Sequence, residues 1–201
     1  MEAIPALLLC AVIGYLLGSI STGIIYSRSL GRDIRTQGSK NAGATNMTRV
    51  HGLREGLITF GGDCLKGVIA AVIGRALAGQ TGAIVGGTCA VLGHSWPLFF
   101  GFRGGKGVAT CIGIGLATYP PFGLLGLVLG VITMFVSRFV SLGSMVGVSA
   151  FAVGVTIRYG LWPIGLWAIL LDLLVIWRHR SNIDRLLHGT ENKIGKKAKA
   201  E

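Results

Sequence analysis

The chain of 201 residues is 51% hydrophobic and only 13% charged, and its 19 Lys and Arg against 8 Asp and Glu leave a formal charge of +11. Soluble domains carry about 25% charged residues, which excludes an ordinary soluble domain. A nucleic-acid domain does not pair a basic stripe with a half-apolar chain, so no nucleic-acid partner is expected. A membrane protein handling anions fits both facts.

Apolar runs at 4–26, 56–79, 82–101, 121–137, 139–157 and 161–177 have the length of membrane spans. The first carries Glu2 instead of a basic n-region and runs on without a small-residue cleavage site, so it reads as a span and not a signal peptide. Between Lys106 and Arg138 no residue is charged. One helix over that stretch would be about 46 Å long against a hydrocarbon core of about 30 Å, and Pro120-Pro121 would break it. Two spans, 107–119 and 121–137, turning at Tyr119, fit better. The first is short and is expected to be partly enclosed by protein.

The distribution of basic residues decides the count. With seven spans, Arg28, Arg32, Arg35, Lys40, Arg49, Arg54, Arg103, Lys106, Arg138 and the seven cations from Arg178 to Lys199 share one side; Arg75 and Arg158 take the other, and Lys66 lies in a span. With six, the cationic first loop and tail separate. The sequence therefore predicts one all-α integral membrane domain over 1–201, a bundle of seven transmembrane helices with the N-terminus outside and the C-terminus cytosolic. The basic tail at 190–201 is expected to be flexible or held near anionic lipid. Glycines at 14/18, 82/86, 126/130 and 143/147 repeat the small-xxx-small spacing of close helix contact, read as packing within the bundle.

The eight acids form no local DxD or ExxH pairing, which gives a metal site no support. Cys10, Cys64, Cys89 and Cys111 lie in apolar stretches without CxxC and read as reduced, helix-lining hydrophobes. Asp63 and Lys66 at i, i+3 can satisfy each other. His94 reads as a packing residue hydrogen-bonded inside the bundle, and Asp172 as a buried structural partner.

Three polar or glycine-rich segments carry the chemistry. The first runs Gly38-Ser39-Lys40-Asn41-Ala42-Gly43-Ala44-Thr45-Asn46 with Arg49, and offers hydroxyls, amides and a bidentate phosphate ligand. It reads equally as an N-cap and a loop of turn residues. In the second, Gly104, Gly105 and Gly107 free the backbone to turn N–H groups inward, Lys106 adds a charge, and a helix opens with its positive end. A tight membrane-surface turn is the other reading. Phe100 and Gly107 stand where a nucleotide P-loop needs its first Gly and its Ser or Thr. In the third, the last membrane helix is expected to run on, placing His179, Asn182 and Leu186 on one face. His179 and Asp184 form an HxxxxD, but five residues on a helix are about 140° apart, so this pair cannot cooperate.

The segments GSKNAGATNMTR, GHSWPLFFGFRGGKGVAT and HRSNIDRLLHGTE, in this order in a seven-span chain, resemble the bacterial acyl-phosphate:glycerol-3-phosphate acyltransferase family, as does DxxKG at Asp63 to Gly67. Lys40 and Asp184 depart from the family pattern, where Gly and a base are usual. The resemblance implies acyl transfer from fatty acyl phosphate to the 1-hydroxyl of sn-glycerol 3-phosphate at the cytosolic face of the bacterial inner membrane. Lysophosphatidate and phosphate are the products, with membrane lipid around the enzyme and a functional link to the enzyme that makes acyl phosphate. Ser39 and Arg49 would grip glycerol phosphate beside Gly38, with Asn41, Thr45 and Asn46 shaping the loop. The segment Gly104, Gly105, Lys106, Gly107 to Thr110 would bind phosphate. His179 and Asn182 would orient the glycerol, with His179 or the substrate phosphate as base. Glu191 would be structural, pairing with Arg185. No cofactor and no metal is implied, and without GxSxG or a cysteine in these segments no covalent acyl-enzyme.

Two competing classes are an anion or phosphoester transporter and a CDP-alcohol phosphotransferase. A transporter places its site near the midplane between repeated halves, whereas these polar residues gather at one interface. The phosphotransferase needs a compact Asp cluster, which is missing.

Overall fold

The computed structural model describes residues 3–194, and every regular element among them is helical. In chain order these are α1 (Ala3–Ser19), α2 (Thr22–Ser29), α3 (Ala44–His51), α4 (Leu53–Ser95), α5 (Val108–Thr118), α6 (Pro120–Ser137), α7 (Val140–Tyr159), α8 (Leu166–Arg178) and α9 (Arg180–Leu187). Among the described residues, five helical segments are long and apolar enough to cross a membrane: Ile4–Ser29, Leu53–Phe100, Pro120–Ser137, Val140–Tyr159 and Leu161–Arg178. Val108–Thr118 is a shorter apolar helix. The chain divides into two compact units, one up to Thr118 and one from Tyr119. Most of the tail at 190–201 lies outside the described residues.

In the first unit α1, α2, α3 and α5 all pack on α4. The run at 4–26 is not one uninterrupted helix. It breaks at Ile20–Ser21, between α1 and α2, because Ser19 turns its Oγ back to the Tyr15 carbonyl at 2.8 Å and Lys66 Nζ donates to the Ile20 carbonyl at 2.9 Å. These bonds satisfy polar groups released at the helix end.

Helix α4 has 43 residues, about 65 Å if straight, far beyond a hydrocarbon core of about 30 Å. It is not straight. Ala78 and Gly79 leave helical geometry, Gly79 at φ 61°, a value that glycine adopts without steric cost. The legs 53–77 and 80–95 fold back on each other: a methyl on Gly74 would strike the Gly82 carbonyl, and one on Gly86 would lie 2.8 Å from the Ala70 carbonyl oxygen. Such backbone approach suits a membrane, where helix association rests on van der Waals packing and not on expelling water. The same chemistry leaves large side chains outward. Leu8, Val12, Leu57 and Val72 are all more than half exposed, while Ala70, Ala71, Ala83 and Ala90 are buried.

The small-xxx-small glycines lie in contacts within this chain. Gly14 meets Gly86 and Gly18 meets Ala90 between α1 and α4, and Gly126 meets Gly147 and Gly130 meets Gly143 between α6 and α7.

In the second unit Pro120 and Pro121 open α6, where a missing N–H removes no helical bond. Tyr119, Phe151, Val155 and Ala168 form a buried core with Phe122 and Trp167 packed against it. The run at 161–177 is irregular at its start. Trp162 is extended and regular helix begins at Leu166, consistent with Pro163 lacking a donor. Asp172 is half-buried, not buried as expected, and accepts a hydrogen bond from Ser149 at 3.0 Å. The expected continuous helix through the third segment is also corrected: α8 stops at Arg178 and α9 starts at Arg180. The His179 ring nitrogen Nδ1 lies 2.8 Å from the Val175 carbonyl, which already accepts the His179 backbone N–H, a side chain competing with the helical ladder.

Candidate active site

In the first unit, α2 delivers the chain into the 30–43 connection. Asp33 accepts from the Arg35 backbone N–H at 3.0 Å and pairs with both the Arg35 guanidinium at 2.8 Å and that of Arg28 at 3.1 Å. The Arg35 hydrogen bond holds the Asp33 carboxyl well below the usual carboxylate range against the opposing effect of burial, and the same bond raises Arg35. Arg35 also donates to the Phe100 carbonyl at 2.6 Å, and Arg28 lies over the Phe100 ring. This clasp joins the first segment to the approach of the second. The sequence reading missed it, although two residues of opposite charge at i, i+2 were its signal.

The loop itself is closed by Asn46, which is buried in the first turn of α3. Its Oδ1 accepts from the Ser39 N–H at 2.9 Å, while Nδ2 lies within donating distance of the carbonyls of Ile34, Gln37 and Asn41. That saturates the amide. Asn46 therefore holds the loop and has no donor left for a substrate. Asn41 accepts from the Gly43 N–H at 2.9 Å, an Asx turn that leads into α3. Ser39 and Thr45 are exposed and Arg49, in the last turn of α3, is half-buried. Gly38 takes a positive φ of 54°.

The second segment is seated on the end of α4. The Gly105 N–H donates to the His94 carbonyl at 3.1 Å, and a methyl on Gly105 would run into Nε2 of the His94 ring. On Gly104 it would meet the His94 carbonyl, and Gly107 turns into α5 at φ 86°. Lys106 is half-buried between them. Thr110, assigned to substrate binding from the sequence, is fully buried against Gly67. His94 is buried and its Nδ1 lies 3.5 Å from Asp63, which pairs with Lys66 at 2.8 Å. The Asp63–Lys66 pair was readable from spacing; the third member was not, because it comes from the other leg of α4.

In the second unit, His179 and Asn182 are both buried. Asn182 Nδ2 donates to Glu191 at 2.8 Å, and Arg185 Nε donates to the other oxygen of the same carboxylate at 2.7 Å. Ser141, a residue the sequence did not single out, donates to Glu191 at 3.0 Å. Glu191 thus fixes α9 to the start of α7. Asp184 is exposed and paired with His188, apart from any reactive arrangement with His179. Among the described residues no group of His, Cys, Asp and Glu could hold a metal ion.

The helices and loops define an integral membrane protein with basic, glycine-bearing segments between its apolar helices. Residues 8–189 match the family model described as Glycerol-3-phosphate acyltransferase, and the chain belongs to that family. Glycerol-3-phosphate acyltransferases of Thermoanaerobacter sp. (strain X514) and Clostridioides difficile (strain 630) are 45% and 46% identical, each alignment covering 94% of this chain and 96% of the relative. The fold is similar to the crystal structure of PlsY, an integral membrane glycerol 3-phosphate acyltransferase, in its glycerol 3-phosphate form (TM-score 0.89, 38% identity, 94% of this chain and 96% of that one). It is also similar to the lysophosphatidic acid form of that protein (TM-score 0.85, 37% identity, 94% and 95%).

Proposed function

We propose that this acyltransferase takes its acyl group from fatty acyl phosphate and passes it to the 1-hydroxyl of sn-glycerol 3-phosphate, giving lysophosphatidate and inorganic phosphate. The observation that carries the reading is the Gly104–Gly107 loop, whose backbone is seated on His94, whose Lys106 supplies a cation and whose end opens α5. Both substrates then bear a phosphate, which suits two basic, glycine-bearing segments.

The hydroxyl oxygen attacks the acyl carbonyl carbon, the C–O bond to phosphate breaks, and phosphate leaves with that bond's electron pair. Lys106 neutralises the departing charge; Ser39 and Arg49 hold glycerol phosphate; His179 and Asn182 orient the glycerol. An acyl phosphate is already activated, so positioning and electrostatics suffice. The hydroxyl proton passes to His179 Nε2 in this reading. A carbonyl only accepts, so the Nδ1 contact with Val175 puts the ring hydrogen on Nδ1 and the lone pair of the neutral ring on Nε2. We further propose seven membrane crossings, counting the two legs of α4 and α5 separately, with the N-terminus outside and the three segments on the cytosolic face of the inner membrane. The acyl-phosphate-producing enzyme is the functional partner.

The test is purified protein with labelled glycerol 3-phosphate and, in separate reactions, acyl phosphate, acyl-CoA or acyl carrier protein thioester. Lysophosphatidate should form from acyl phosphate without added metal; its formation only from a thioester overturns the donor assignment. Lys106→Ala and Arg49→Ala should lose activity while remaining monodisperse in detergent. His179→Ala decides the base: proton transfer contributes about 10²–10⁴, so a loss of only about tenfold assigns the proton to the substrate phosphate.

A further inference from the structure

A buried ionic cluster in the first unit has no part in the chemistry described so far. Asp63 is 1% exposed on the first leg of α4, and its Oδ1 lies 2.8 Å from Lys66 Nζ and 3.5 Å from His94 Nδ1 on the second leg. A carboxylate in a membrane-spanning helix is expensive and is retained where it has a task. Neither partner ends at Asp63. Lys66 donates onward to the Ile20 carbonyl, in the break between α1 and α2 from which the first segment descends. His94 meets Gly105 twice, through its carbonyl and through its ring, whose Nε2 occupies the place a Gly105 side chain would take.

We propose that Asp63 is a positioning residue that sets the spacing between the two phosphate-facing segments, acting through Lys66 on the α1–α2 break and through the His94 ring on the Gly104–Gly107 loop. Rotating the His94 ring moves the floor under Gly105 and with it the backbone on either side of Lys106. The neighbouring straps are neutral: Tyr15 donates to the Trp96 carbonyl at 2.8 Å, and the Leu98 N–H donates to Ser19 at 3.2 Å. They fix where the 96–103 stretch starts, but nothing in them orients a ring. Asp63 can do so by charge, since its carboxylate lies 3.5 Å from Nδ1 and favours that edge of the ring facing the first leg of α4. The inference rests on the reading of Gly104–Gly107 as a phosphate loop.

The experiment is steady-state kinetics on the monodisperse fraction of the full chain in detergent, varying glycerol 3-phosphate at saturating acyl phosphate. Wild type is the control. Should it use only a thioester, the donor assignment fails and the same comparison is made with that thioester. Asp63→Asn should raise KM for glycerol 3-phosphate threefold or more with a smaller change in kcat. A smaller rise in KM overturns the proposal, whatever happens to thermal stability. Independently, Gly105→Ala and His94→Ser are combined. Removing the ring makes room for the new methyl, so the double variant should regain at least threefold in KM over Gly105→Ala alone. Additive losses overturn the proposal, and this cycle alone decides if Asp63→Asn yields no monodisperse protein.

Discussion

The 38–46 loop and the 104–107 loop are both glycine-bearing, yet they are held by opposite means. The first is closed from within by its own side chains, Asn46 across the loop and Asn41 over Gly43. The second has almost no side chains with which to close itself. It lies on His94, and glycine is required because the ring already fills the space a side chain would need. A loop tied by its own amide tolerates change beneath it and fails when the amide goes; a loop laid on a helix end does the reverse. Loops near reacting groups gain precision when neighbouring groups lock them.

The largest test of this contrast is Asn46→Ala, which removes one acceptor and two donors at a buried position. At about 1–3 kcal/mol per buried group left unsatisfied, several kcal/mol of stability should go. The segment at 38–43 should then become protease-sensitive before the helices melt, as followed by limited proteolysis. Asn46→Asp should restore only the Ser39 bond and recover little. The Glu191 corner is the charged counterpart of the Asn46 knot. Glu191→Ala strands Asn182 and Arg185 together, and a loss of about 2–4 kcal/mol is expected, with Glu191→Gln clearly milder in a detergent melting series. Equal melting of the two variants would mean that charge is irrelevant there.

Smaller is Gly107→Ala, where φ 86° and a methyl 2.9 Å from Val91 Cγ1 should cost about 1–2 kcal/mol. That strain should fall on phosphate binding, measured as KM, more than on melting temperature. The smallest effect concerns acid. Asp33 is depressed in the folded protein by Arg35, so its contribution is present above the unfolded carboxylate value of about 3.9 and is lost as pH falls below it towards the folded value. Between pH 5 and pH 3 the melting temperature of wild type should therefore drop more steeply than that of Asp33→Asn. Parallel curves would show that the Arg28–Asp33–Arg35 clasp contributes nothing.

Much of this was readable from residues alone. Three segments in order carried the resemblance to the family that the family model bears out, although the glycines beside a lysine and the asparagine-rich turn, taken singly, read equally as tight turns. Glycines four apart marked helix contacts, which the structure places at Gly14–Gly86 and Gly126–Gly147. What escaped depends on specific partners that residue type and helical spacing do not reveal. Asn46 was legible as a residue shaping the loop, but its four backbone partners were not. Thr110 looked like part of a phosphate loop because it follows one, whereas α5 turns it onto Gly67. The break at Ile20–Ser21 hid in an apolar average, and its stabiliser, Lys66, lies 46 residues away. The interruption at His179 arises from the ring's own bond to Val175, which a helical wheel does not represent.

The bend at Gly79 bears on how the chain enters its membrane. A helix that reverses without a loop has no polar stretch to carry across the bilayer in the seven-crossing arrangement. Arg75 is the one charged side chain near the tip, and its guanidinium is bonded to Gln80 on the returning leg at 2.8 Å. Two legs already in backbone contact are suited to partition as one hairpin, so that the backbone dipoles of the pair oppose each other during insertion. In that arrangement the tip would carry a single cation, its guanidinium hydrogen-bonded to the Gln80 amide, to the far interface, where water receives it.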